Sequence, residues 1–174
     1  REVCEGQQLD MDYSKMDHVG MDQYIEMITL KTSVLLAASL EAGAIIGGAS
    51  ENNCNQLYEF GKKIGIAFQI QDDYLDAFGD PEIVGKQPGG DILAEKKTYL
   101  YIQLLNKLNS EEKEAMDSAS LSPEGKVQLV TEMMKKYHLD AELKAVALKY
   151  STSAIEHLNA VLCSDDNKEG KTNH

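Results

Sequence analysis

The chain has 174 residues, 43% of them hydrophobic, enough for one domain with a packed core, which excludes disorder over most of its length. Its 29 acidic residues against 17 basic ones leave a net charge of −12, and no Lys/Arg cluster is interleaved with aromatics, which excludes nucleic acid as a partner. Cys4, Cys54 and Cys163 are isolated, without metal-ligand spacing, and fit a reduced, cytoplasmic setting.

Hydrophobic periodicity is helical almost throughout, and no strand pattern, repeat or linker appears, so the expected fold is all-α. The first helix is expected over about Glu2 to Asp10. The chain opens on "REVCEGQQLD", inside that helix and without an initiator Met, and so reads as the C-terminal part of a longer protein. A second helix is expected from about Met21 to Gly48, closed by Gly47-Gly48. Within it "SVLLAASLEAGAIIGGAS" (Ser33 to Ser50) is the only membrane candidate. Glu41 at mid-stretch would cost about 3 kcal/mol at the bilayer centre, and Ala, Gly and Ser do little to offset it, so a packed interior helix without a membrane span is expected.

The third helix is expected over about Asn53 to Phe78, stopped by Gly79 and Pro81. Residues 79–91, "GDPEIVGKQPGGD", read as a mobile loop beside a charged cluster, the kind that closes over ligands. Further helices are expected over Lys96–Leu108, Ser110–Ala119, Ser122–Tyr137 and Asp140–Leu162. These elements make a single helical domain over residues 1–163, with residues 164–174 as a disordered tail.

The third helix carries "FQIQDDYLDAFGD" (Phe68 to Asp80) near its end. Asp72 and Asp76 stand at i and i+4, one turn apart on one face. Like charges so placed repel, by about 4 kcal/mol at 4 Å in an effective dielectric of about 20. At a helix C-terminus the macrodipole gives them no help. Three carboxylates on adjacent turns suit Mg2+, which takes one or two of them and completes its octahedron with water and phosphate oxygens. An EF-hand fails: counting from Asp72, positions 3, 6 and 12 are Tyr74, Ala77 and Ile83. Taken alone, the stretch fits a solvated acidic helix end paired with lysines equally well.

Other polar groups favour a ligand site. In "GQQLD", Gln7 and Asp10 share a face at i and i+3; Lys31-Thr32 sits in an apolar helix; Lys86 lies in the Gly/Pro loop, and Lys96 and Lys97 follow Asp91. Singly these read as a snorkelling lysine and ordinary surface lysines. Jointly they suit a diphosphate, with carboxylates for magnesium and separate cations for the other oxygens.

These motifs resemble those of the trans-isoprenyl diphosphate synthases, or polyprenyl synthetases, such as farnesyl and geranylgeranyl diphosphate synthases. The resemblance rests on "GQQLD", on Tyr24, Met27, Lys31 and Thr32, and on "FQIQDDYLDAFGD" followed by "GKQPGGDILAEK", and covers residues 2 to about 108. It implies a terpenoid-synthase-type helical bundle around a deep cavity, condensing isopentenyl diphosphate with an allylic prenyl diphosphate by magnesium-assisted ionisation. Asp72 would be a principal Mg2+ ligand, with Asp73 and Asp76 ligating directly or through water. Lys31, Lys86 and Lys96 would hold the allylic diphosphate. Thr32 and Gln69 would line the site near the developing cation, Phe68 and Gln71 would shape the isopentenyl diphosphate pocket, and Gln7 and Asp10 would support the metal and phosphate network.

Nothing in this sequence matches the family's first aspartate-rich motif, its upstream isopentenyl diphosphate segment or its arginine pair. The resemblance therefore implies an inactive fragment of a parent that works as a homodimer. Two rival readings are a non-catalytic relative that binds or regulates a synthase, and a terpene cyclase of the same fold. Cyclases carry a second metal motif with Asn, Ser/Thr and Glu, whereas Asp72, Asp73 and Asp76 favour elongation.

Overall fold

A computed structural model of the chain describes residues 1–85, 87–116, 118 and 121–161, with Ile83 and Val84 by backbone alone. Among the described residues there are helices and turns but no strand, as the periodicity predicts. The expected tail, Lys86, and the helix ends expected at Ala119 and Leu162 lie outside the described residues.

Helix α1 spans Glu2–Tyr13, and the expected second helix is three pieces: α2 (Met21–Ile28), a π-helical turn (Thr29–Ser33) and α3 (Val34–Ile46). Nothing in "TLKTS" signals the wider turn. It is a packing outcome, and π turns of this kind mark functional sites. Helix α4 (Glu51–Phe78) begins two residues before the expected Asn53, because Ser50 caps it by accepting the Asn53 N–H at 3.3 Å.

The segment read as a loop over residues 79–91 holds one short helix and the start of another. Helix α5 (Pro81–Val84) starts on Asp80, whose carboxylate accepts the Glu82 N–H, and α6 is Gly90–Leu93. Helix α7 (Tyr99–Lys107) starts three residues later than expected from Lys96 onward. Thr98 is its cap, accepting the Tyr101 N–H at 3.3 Å, and this leaves Lys96 and Lys97 off the helix. After α8 (Ser110–Met116) come α9 (Pro123–Lys136), capped by Ser122, and α10 (Leu139–Ala160).

Helix α4, about 42 Å long at 1.5 Å per residue, is the axis of the bundle, with α3 along one side and α10 along the other. Its Ile66 and Ile70 join Tyr24, Ile28, Leu100, Leu104, Val130, Met134, Leu139 and Leu143 in one buried core. Each such side chain contributes about 1.5–3 kcal/mol on burial. The opposite character marks the outside of α3, α4 and α10: Leu35, Ile45, Ile46, Phe68 and Leu148 are all exposed. By length and composition Met21–Ile46 is apolar enough to cross a membrane, with a mean hydropathy of 1.4. Here its inner side packs on α1 and α4.

Two glycines let neighbouring helices close on the π turn. A Cβ on Gly6 would run into the backbone of Leu30 and Lys31, and one on Gly65 would sit 2.7 Å from the Ser33 Cα. Gly43, also in a helix, has nothing within 4 Å of the corresponding point. Alanine is intrinsically better than glycine in a helix by about 1 kcal/mol. Gly43→Ala should therefore raise the melting temperature, by about 2–4 °C for a chain of this size. Gly65→Ala should lower it despite the same propensity gain, because backbone cannot yield, with a net loss of about 1–3 kcal/mol. Thermal and urea melts of the two variants check this.

Candidate active site

Gly6 and Asp10 are one turn apart on α1, so the contact that Gly6 permits brings Asp10 against the π turn. There Lys31 Nζ donates to Asp10 Oδ2 at 2.7 Å. Gly65 and Gln69 are likewise one turn apart on α4, and Gln69 Oε1 accepts from the Thr32 hydroxyl at 3.2 Å. Asp72 and Asp73 follow on the next turn. Across from them α6 brings in Asp91 and the chain after it Lys96, paired at 2.6 Å. Hydrogen bonding to Asp91 holds the Lys96 ammonium above its ordinary pKa.

These groups surround a cavity of about 210 Å³, lined by Asp10, Lys31, Gln69, Asp72, Asp91 and Lys96 together with Tyr24, Met27, Ile28, Asp73, Lys97 and Thr98. Both ion pairs are partly exposed, with the two lysine side chains 32% and 50% accessible, so solvent weakens them. Each lysine is thus held in place by a carboxylate but remains open to an anion.

The three aspartates of the acidic motif take different positions. Asp72 is exposed on the cavity. Asp73 is only 5% exposed and accepts from the Tyr24 hydroxyl at 2.8 Å and from the Tyr99 N–H at 3.2 Å. Asp76 is buried too. Its Oδ2 accepts the Asp91 N–H at 2.9 Å and its backbone oxygen the Gly89 N–H at 2.6 Å, so it folds the loop rather than lining the cavity. Of the three aspartates expected to ligate metal directly or through water, only Asp72 presents an open carboxylate here, and no group of three or more metal-binding side chains occurs among the described residues. That donor set fits Mg2+ bound by few carboxylates, with water and phosphate oxygens for the rest.

The remaining expected residues divide. Lys31, Gln69 and Lys96 meet at the cavity, and Thr32 touches it through Gln69. Gln7 is exposed and does not line it. Phe68 and Gln71 face a separate shallow groove shared with Lys144 and Leu148 of α10. Lys86 lies outside the described residues. The sequence pattern named Lys97 only among the cations of the set and assigned no role to Tyr24, Asp91 or Thr98, although Tyr24 and Asp91 sit inside the quoted motifs and could have been found by their spacing from Lys31 and Lys96.

Asp73 ties four helices together. Tyr24 comes from α2 and Tyr99 from α7, their rings edge to face at 6.2 Å, and the Tyr99 hydroxyl donates to Glu142 of α10 at 3.0 Å. Burial pushes the Asp73 carboxyl up to about 7, against the lowering effect of its two donors. Burial, followed by the Asp73 charge, pushes the Tyr24 hydroxyl well above its usual range, so it stays a donor. Burial also pushes Tyr99 up to about 12, assisted by Glu142.

A family model described as polyprenyl synthetase matches residues 1–137 of this chain. The short chain isoprenyl diphosphate synthase of Methanothermobacter thermautotrophicus is 38% identical over 164 residues, which are 94% of this chain and 50% of that protein. The geranylgeranyl diphosphate synthase of Sulfolobus acidocaldarius is 36% identical over 168 residues, again 94% of this chain and 50% of that one. A crystal structure of a geranylgeranyl pyrophosphate synthase superposes with a TM-score of 0.87 at 37% identity, covering 98% of this chain and 54% of its own. The fold is therefore the all-α fold of the prenyl synthases. The chain belongs to the polyprenyl synthetase family, as its motifs led us to expect, and spans about half the length of the curated relatives it matches.

Because the Asp73 pKa is raised on folding, from 3.8 to about 7, the folded state holds a proton that the unfolded state has lost between those pH values. Its contribution is complete below about pH 4 and is lost as pH rises through about 7, by up to about 4 kcal/mol. In EDTA, wild-type stability relative to Asp73→Asn should therefore fall across that window and flatten above it. Urea melts from pH 4 to 8 measure the difference, and a rise with pH would contradict the burial argument.

Proposed function

We propose that this chain is the diphosphate-ionising part of a chain-elongating prenyl diphosphate synthase, which joins isopentenyl diphosphate to an allylic diphosphate. The observation that carries the reading is the convergence of Lys31, Lys96 and Asp72 on one cavity, with a carboxylate beside each lysine. In an acidic protein a diphosphate can be held only through metal or through focused cations, and this cavity offers both. Asp72 would hold Mg2+, with Asp10 and Asp91 close by. When bound, the metal supplies Lewis-acid stabilisation of charge on the phosphate oxygens.

The residues of this chain would act as follows. Lys31 and Lys96 take the diphosphate oxygens that the metal leaves, exchanging part of their pairing to Asp10 and Asp91 for phosphate. As the allylic C–O bond breaks, both electrons leave with the diphosphate, and the ammoniums stabilise that charge as it develops. Thr32 donates to Gln69 and so fixes the amide of Gln69 near the developing cation. The isopentenyl double bond then attacks that carbon, and the departed diphosphate removes the proton, so no side-chain nucleophile is needed. Asp73 and Asp76 position Asp72 and the loop.

An allylic cation needs an apolar, water-free enclosure. The described cavity is polar and small, while the apolar surfaces of α3 and α4, at Leu35, Leu36 and Phe68, stand open. By itself the chain should therefore bind diphosphate without condensing substrates. Incubation of the purified chain with radiolabelled isopentenyl diphosphate and geranyl diphosphate should give no longer product, and a labelled product would overturn this.

The same reading predicts joint binding. Magnesium and methylenediphosphonate together should raise the melting temperature by about 5 °C, the shift for ligand near 100 times Kd, about 2.7 kcal/mol. Magnesium alone should do little, and methylenediphosphonate alone should give clearly less than the pair. Asp72→Ala should abolish the joint shift at little cost to the unliganded melt, since the side chain is exposed. Persistence of the joint shift in Asp72→Ala would place the ligands elsewhere.

A further inference from the structure

A second groove, of about 440 Å³, opens between the turn at residues 14–18 and helices α7 and α8. Lys15, His18, Lys97 and Lys113 line it, over a floor that includes Tyr101 and Met116, both buried. Four basic side chains in one groove are out of keeping with a net charge of −12.

The opposing charge in the groove is small. Among the described residues its carboxylates are Asp17 and Glu95, and Glu95 is engaged from outside by Lys126 Nζ at 2.5 Å, which holds its carboxyl below the ordinary range. That leaves Asp17 against three ammoniums. None of the three is ion-paired among the described residues: Lys97 donates only to the Glu95 backbone oxygen at 3.4 Å and lies 5.1 Å from the Tyr101 ring centroid. The cavity described above is built differently, with Lys31 and Lys96 already beside carboxylates and Asp72 open for a metal. A groove with excess ammonium and a single uncompensated carboxylate binds anions directly and has no use for a bridging cation.

Lys97 lines both spaces, so the groove adjoins the cavity. We propose that the groove is a second, metal-independent site for diphosphate-class anions, at the mouth of the metal-dependent one. In a molecule whose overall field repels anions, such a site raises the local concentration of an incoming diphosphate and gives the departing one a place to leave to.

The test is isothermal titration of the full chain with inorganic diphosphate in EDTA. Wild type should bind, with an affinity that weakens steeply as salt is raised. Charge reversal of the two groove lysines absent from the cavity, Lys15→Glu with Lys113→Glu, should weaken binding at least tenfold. A control reversal outside the groove, Lys135→Glu with Lys149→Glu, should change it less than threefold. Asp72→Ala should leave the EDTA titration unchanged while losing the magnesium-dependent thermal shift, which separates this site from the cavity. Absence of binding in EDTA, equal weakening by both double variants, or loss of binding in Asp72→Ala would each overturn the proposal. A parallel titration with geranyl diphosphate distinguishes the source of the anion. Equal affinity means that the groove holds the head group alone, and at least tenfold tighter binding means that the floor at Tyr101 and Met116 also takes the chain.

Discussion

The close approach of three helices at the π turn is the constraint on which the rest of the site depends. Backbone packs on backbone there, Gly6 against Leu30 and Lys31 and Gly65 against Ser33. Side chains one helical turn beyond each glycine, Asp10 and Gln69, then reach Lys31 and Thr32 without searching many rotamers. Ser33 is fully buried, and its hydroxyl has no partner among the described residues. An unsatisfied buried hydroxyl costs about 1–3 kcal/mol. That the structure tolerates it indicates how strongly the packing on both sides fixes this turn.

Charge at the acidic motif is managed by burial as well as by pairing. Three adjacent carboxylates, all ionised, would repel one another in a partly dry setting. Asp73 is withdrawn into a cage of Tyr24 and Tyr99, where burial favours its neutral form, and Asp76 turns to the backbone of residues 89 and 91. Only Asp72 keeps an open carboxylate. The same bonds carry structural information: Asp73 fixes the rotation of α4 against α2 and α7, and Asp76 fixes where Asp91 and Lys96 stand relative to it. In this structure the motif thus presents one open carboxylate and two that accept hydrogen bonds from neighbouring elements.

The surface has a comparable division. Cations gather in the cavity and in the adjoining groove, while the outer faces of α3, α4 and α10 carry exposed apolar side chains. In the proposed reading, phosphate recognition would fall to the first region. The apolar faces are chemically suited to a prenyl chain or to further helices, and Phe68 and Gln71, on the α4–α10 side, fall in this second region.

The helical class, most helix ends and the family were legible in the sequence, because period-3.6 hydrophobicity, Ser and Pro caps and the spaced motifs are local properties. That Lys31, Gln69, Asp72 and Lys96 belong together was also legible, and in the fold they line one cavity. The π turn was not, because "TLKTS" has no propensity for it and only the glycines of two other helices make it favourable. Nor was the fate of Asp73 and Asp76. All three aspartates of the motif carry the same charge, and how far each opens to the cavity depends on distant partners: for Asp73 a tyrosine 49 residues away in sequence and an amide 26 residues away, for Asp76 an amide 15 residues away. Sequence periodicity fixes which face of a helix a side chain shares. What stands opposite that face, and so whether a carboxylate becomes a ligand or a buried acceptor, is decided by tertiary packing.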